Sequence, residues 1–114
     1  MTTKGVEGVY LHTHNWGKTA KFLEALGYKV EFATDHGSGT LRHEEGPYFV
    51  VAEVPEDQEP EAQLVLRVED ADAFRPDPIV EVVTPFEETH WGTQRMVVRD
   101  PDGRRWSVEA PLKK

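Results

Sequence analysis

The sequence predicts an α+β fold of two βαβββ modules, forming curved mixed sheets with helices on the outer face and a concave cleft completed in a dimer. Three observations carry this. The order strand, helix, three strands occurs twice along the chain. The acidic, proline-bounded segment PEDQEPE divides the two runs. One constant offset pairs Arg42 with Arg99, Gly46 with Gly103 and Phe49 with Trp106. The whole reads as one domain over residues 1–114, with module one at about 5–54, a linker at 55–60 and module two at about 61–111.

The first module opens with VEGVYLH, an apolar stretch that reads as a strand. NWGKTAKFLEALG follows, with Trp16, Ala20, Phe22, Leu23 and Leu26 near helical spacing. Asn15 can cap its start and Gly27 can end it. YKVEFAT alternates, placing Tyr28, Val30 and Phe32 on one side and Lys29 and Glu31 on the other. HGSG reads as a turn, and TLRHE and PYFVVAEV as strands joined at Glu45 and Gly46. In the second module AQLVLRV is a strand and DADAF a helical turn, stopped by Pro76 and Pro78. IVEVVTPF is a strand, and TQRMVVR and RWSVEA form a hairpin around RDPDG. Phe22, Leu26, Phe49, Leu64, Leu66, Val68, Phe74, Trp106 and Val108 are the expected helix-side core.

Composition excludes several function classes. Acidic residues outnumber basic ones by 21 to 13 in 114 residues, for a net charge of -8, which disfavours nucleic acid and anionic membranes as partners. The longest apolar runs fall far short of a membrane span, and MTTKGVEG lacks the apolar core of a signal peptide. Cysteine is absent, so neither disulfides nor thiolate metal sites arise. The expectation is a cytoplasmic protein. A small chain with open sheet faces covers them by pairing, so a symmetric homodimer is expected.

KFLEALGYKVEF in the first module and HWGTQRMVVRDPDGRRWSVE in the second resemble the vicinal oxygen chelate superfamily, also called the glyoxalase/bleomycin-resistance/dioxygenase fold. The resemblance covers roughly Val6 to Pro111. Such a fold hosts lyases, isomerases, dioxygenases, transferases and plain binding proteins, so it does not fix an activity. Catalytic members hold a metal with one ligand from each of four strands. Carried onto this chain, those positions are Gly8, Val50, Gln63 and Ser107, of which only Gln63 matches a ligand type the family uses. A divalent ion wants several hard oxygen or imidazole donors, so the resemblance implies no metal and no cofactor here. Glu109 and Glu53 are the nearest substitutes, one about a pleat away and the other on the opposite face. His12 and His14 are spaced as a two-ligand pair but lack a placed carboxylate partner. His36 and His43 read as solvated loop and hairpin residues.

Among subfamilies the pattern lies closest to the bleomycin-binding resistance proteins, through LGYKVEFATDHGSGTLRHEEGPYFVVAEV and HWGTQRMVVRDPDG. Those proteins are dimers that trap a planar, cationic antibiotic without breaking it. Gly37 is a departure, standing where bulk would help stack a ligand. By strand alternation Tyr10 and His12 share a face with Gly8, Tyr48 aligns with Val50, and Ser107 with Glu109. Trp91, beside His90 and near Phe86, adds an aromatic wall, and Arg95 a polar anchor. Tyr10, His12, Tyr48, Val50, Phe86, Trp91, Arg95, Ser107 and Glu109 are therefore the candidate ligand-binding residues. The leading function is non-catalytic binding and sequestration of a small aromatic or cationic molecule, as in antibiotic resistance. The alternative is an enzyme of the same fold, a lyase, isomerase or dioxygenase. Its metal ligands would then lie elsewhere, or it would work without metal through His12 or Glu109 as general base.

Overall fold

A computed structural model describes residues 3–89 and 91–112, so His90 lies outside the described residues. The chain divides into two compact units. One spans Gly8–Ala62; the other takes in the chain before Gly8 and from Gln63 onward.

In the first-half unit, β1 (Val6–Thr13) leads into α1 (Trp16–Ala25), then β2 (Lys29–Ala33), β3 (Ser38–Arg42) and β4 (Tyr48–Glu53). Their order across the sheet is β2-β3-β4-β1. The β1–β4 pair is parallel, the arrangement a helical crossover permits, and the other two pairs are antiparallel. The Asn15 carboxamide oxygen accepts from the Lys18 N–H at 3.0 Å and caps α1. The first turn has no acidic residue of its own. Glu53 supplies one from β4, accepting the Trp16 N–H at 2.8 Å. The helix then lays Ala20 and Leu23 on Leu41 and Val51, with Leu11, Trp16, Tyr28 and Phe49 around them. Leu41 and Val51 are fully buried, and each such side chain contributes about 1.5–3 kcal/mol.

Phe22 and Leu26 do not join this core; they are 62% and 60% exposed. At 100° per residue, Trp16, Ala20 and Leu23 fall on one stripe, whereas Phe22 and Leu26 form a second stripe beside it. Strand β2 brings another correction. A bulge between Val30 and Phe32 pairs Val30 with Leu41 but Phe32 with Thr40. Leu41 belongs to the helix-side core, so Val30 sits on that side, and Phe32 sits on the other.

In the second-half unit, β5 (Ala62–Arg67) is followed by a turn, then β6 (Glu81–Glu88), β7 (Thr93–Arg99) and β8 (Arg105–Pro111), in the order β5-β8-β7-β6. The DADAF segment makes only a turn, closed by Ala73 and Phe74 N–H groups on the Asp70 carbonyl. Among the described residues α1 is therefore the single helix. Val68, Ala71, Met96, Val108 and Ala110 form the buried core, flanked by Leu66, Phe74, Phe86 and Val98. Leu64 remains 36% exposed, because so short a turn cannot cover the start of β5 as a helix would. Trp106 is half-buried, its indole N–H spent on Asp100 at 2.9 Å. No helix of the described residues is long and apolar enough to cross a membrane.

Candidate functional site

Each unit's sheet has one face packed on its core and one opposite face, and chemistry-bearing side chains gather on the latter. In the first-half unit, the register Gly8↔Tyr48, Tyr10↔Val50 and His12↔Ala52 puts these six residues on the helix-free face. Thr40 pairs with Val50 and Ser38 with Ala52, extending the face across β3. Phe32, opposite Thr40, completes it at the edge. One row across the four strands thus reads Phe32, Thr40, Val50, Tyr10.

Aromatic rings dominate this face. The Tyr10 and His12 rings meet edge-on, 5.5 Å between centroids. The Tyr48 ring lies over Gly8, where a Cβ would come within 2.5 Å of it. The Arg42 guanidinium stacks on Tyr48 at 5.0 Å, and its Nε donates to Glu31 at 2.7 Å. Phe32 is 62% exposed, a large apolar ring held out on a sheet face. The His12 ring is fixed as well. Its backbone N–H donates to the Glu61 carbonyl at 2.9 Å, and the Glu61 N–H returns a bond to His12 Nδ1 at 3.3 Å. Nδ1 therefore acts as an acceptor and Nε2 carries the proton. His14 turns elsewhere, its Nε2 donating to the Gln58 carbonyl at 2.8 Å. The two imidazoles are held by different backbone groups rather than aimed at one point.

In the second-half unit, Val65 pairs with Ser107, Arg67 and Arg95 both pair with Glu109, and Val97 pairs with Ser107. These residues occupy the face opposite the Val68–Val108 core. Arg95 is the hub. Its Nε donates to Ser107 Oγ at 2.9 Å and its Nη2 to Gln63 Oε1 at 3.0 Å, and Ser107 Oγ donates to the same Gln63 oxygen at 2.9 Å. Beside this triad, Glu109 Oε1 accepts from Thr93 Oγ1 at 2.9 Å and from the Trp91 indole N–H at 3.3 Å. Ser107, Gln63 and Glu109 are all buried. Phe86 does not belong with them. It packs on Phe74 at 6.3 Å, within the core on the opposite side, because the bulges in β6 break the alternation that would have brought it to Trp91.

A metal held at Gly8, Val50, Gln63 and Ser107, the four positions carried over by resemblance, does not fit these residues. Gly8 offers no donor, and the space beside it is filled by Tyr48. Val50 is apolar. Gln63 and Ser107 spend their oxygens on a guanidinium, whose charge would repel a second cation. Glu53 caps α1, and Glu109 is committed to Trp91 and Thr93. Among the described residues no three His, Cys, Asp or Glu side chains cluster as a metal site would require.

The sequence predicts one groove lined from both halves; within the first-half unit Tyr10, His12, Tyr48 and Val50 share a face, and within the second-half unit Arg95, Ser107 and Glu109 share one, with Trp91 bonded to Glu109. Sequence reasoning missed Phe32, Arg42 and Thr93. The only sign of Phe32 was a charged Glu31 between two apolar residues, which ordinary alternation reads as an outward side chain. Gly37 also has another explanation than ligand space. It has φ +81°, and a Cβ there would come within 2.9 Å of the Glu53 carboxyl that caps the helix.

No protein-family model matches the chain, and no curated protein sequence does. Solved structures do. A glyoxalase/bleomycin resistance protein/dioxygenase superfamily member from Vibrio splendidus 12B01 is 14% identical, with 96% of this chain and 99% of that one covered, at a TM-score of 0.67. A protein described as an NAD-dependent benzaldehyde dehydrogenase from Legionella pneumophila is 15% identical over 91% of this chain and 97% of that one, at 0.65. BphC, a halotolerant catechol dioxygenase, is 16% identical, with 98% of this chain matching 41% of that one, at 0.64. At these identities the likeness shows the fold alone: an α+β arrangement with mixed sheet, shared with a structure described as a glyoxalase/bleomycin resistance protein/dioxygenase superfamily member.

Proposed function

We propose that the protein binds and sequesters a small planar aromatic molecule without transforming it, in the manner of an antibiotic-sequestering resistance protein. The observation that carries this reading is the helix-free face of the first-half unit, where Phe32, Tyr10, His12 and Tyr48 present rings from three strands. Phe32 is 62% exposed beside the other rings of this face, where a flat ligand would gain stacking and apolar burial. The second-half unit supports the same reading. Its Arg95, Gln63 and Ser107 satisfy one another, a rigid polar frame rather than a set of donors awaiting a metal. Within that unit Trp91 is 41% exposed, its indole oriented by Glu109. The acting form is a homodimer in this proposal.

The test is calorimetric titration with a panel of planar aromatic compounds, followed by Phe32→Ala. Removal of one stacking ring is expected to weaken binding about tenfold. Because Phe32 is exposed, its melting temperature should stay at the wild-type value. Turnover of a bound compound, or unchanged affinity in Phe32→Ala, would overturn the proposal.

A further inference from the structure

The charge balance of the whole chain suggests a cationic ligand, but the ligand face carries different chemistry. We infer that the molecule bound on the first-half face is a planar aromatic bearing an acceptor oxygen on its edge, an aryl carboxylate in preference to an aryl cation, and that His12 Nε2–H receives that oxygen. The inference rests on the proposed binding role and names its ligand class.

Three observations lead there. The first is the His12 tautomer. A backbone N–H bond to Nδ1, made by the same residue whose carbonyl takes the His12 N–H, leaves Nε2 as a donor. That bond to Nδ1, together with the edge contact from Tyr10, orients the ring, so the donor is preorganised. The second is its setting. His12 stands edge-on to Tyr10 at 5.5 Å, so a ring stacked along the Tyr10–Phe32 row would bring its edge toward the imidazole. The third is the fate of the acids. By register, the strand residues of this face include Phe32, Lys29, Thr40, Arg42, Tyr48, Tyr10 and His12, none of them acidic and two of them basic. Glu31, on the bulge, is bound to Arg42 at 2.7 Å, and Glu53 is spent on the Trp16 N–H. A cation would find aromatic faces beside the Lys29 and Arg42 charges, and no carboxylate among the face's own paired residues. The net charge of -8 acts from elsewhere on the molecule and is screened within about 8 Å at physiological salt, whereas a hydrogen bond from Nε2 acts at contact.

Two probes of one shape decide the matter: 2-naphthoate and 2-naphthylmethylammonium, titrated into 15N-histidine-labelled protein. Long-range 1H–15N spectra of the free protein should show His12 protonated at Nε2 and bare at Nδ1. Naphthoate should bind at least fivefold tighter than the ammonium probe and shift the Nε2 resonance. His12→Phe, which keeps a ring but no donor, should remove that preference while leaving residual stacking of both probes. Phe32→Ala should weaken both alike, separating loss of stacking from loss of the acceptor contact. A His12 protonated at Nδ1, tighter binding of the ammonium probe, or an unchanged preference in His12→Phe would overturn the inference and leave the binding role standing. No response to either probe would overturn both.

Discussion

At Asp100, one carboxylate closes the turn between β7 and β8. It accepts the Trp106 indole N–H at 2.9 Å, the Arg104 and Asp102 backbone N–H groups at 2.9 and 3.0 Å, and the Arg104 Nε at 3.0 Å. The Trp106 bond above all, aided by Arg104 and Asp102 against a partial desolvation, lowers its pKa to about 2. A folded-state value below the ordinary ~3.9 means that ionisation stabilises the fold. That stability is present in full above about pH 4 and is lost as the pH falls through about 2. Asp100→Asn should therefore melt below wild type at neutral pH, with the gap closing as thermal scans are taken down through that window. Glu109 gives a second prediction at this scale. Glu109→Leu leaves the Thr93 hydroxyl and Trp91 indole without their acceptor and should cost about 1–3 kcal/mol in urea unfolding, whereas Glu109→Gln keeps an acceptor and should lose less. The face assignments of Tyr10, His12, Ser107 and Glu109 were legible in the sequence, since alternation along a strand needs no partner to be known. Their hydrogen-bond partners were not, because Gln63 meets Arg95 only through a fold that brings residues far apart in the chain together.

Elements were legible where periodicity is strong and illegible where a single residue breaks it. The span of α1 follows from Asn15, Gly27 and the spacing of Trp16, Ala20 and Leu23. Its buried stripe did not follow as simply, since Phe22 and Leu26 are as apolar as the residues that were chosen. Likewise β2 looks regular in sequence, and only pairing with β3 reveals the bulge that moves Phe32 across the sheet. The start of α1 depends on two acceptors from different places. Asn15 serves the Lys18 N–H and Glu53 the Trp16 N–H, so they share no donor. Asn15→Ala should cost about 1 kcal/mol. Glu53→Ala should destabilise as well, and urea melts of the double variant should show losses that do not simply add, because both acceptors serve the same first turn.

For the whole molecule, composition and the repeated strand order gave the architecture, but the second helix dwindled to a turn because Pro76 and Pro78 leave no room for it. Pairing of copies is the remaining expectation at this scale: light scattering on the eluting protein should give twice the 13.0 kDa chain mass, and a mass of one chain would remove the dimer from the proposal. The division of the chain bears on how it is made. Gly8–Ala62 forms one continuous unit, while the other is interrupted: the Lys4 N–H donates to the Arg67 carbonyl at 2.7 Å, and the Arg67 N–H donates back to Gly5 at 3.1 Å. On a ribosome the first-half unit is complete in sequence once Ala62 emerges, while the backbone partners of Lys4 and Gly5 arrive only with Arg67. The segment ahead of Gly8 thus waits for chain that lies well beyond it in sequence. For the same reason, a protease nick within Pro55–Glu61 would leave the leading piece holding Lys4 and Gly5, whose backbone groups bond Arg67 of the trailing piece.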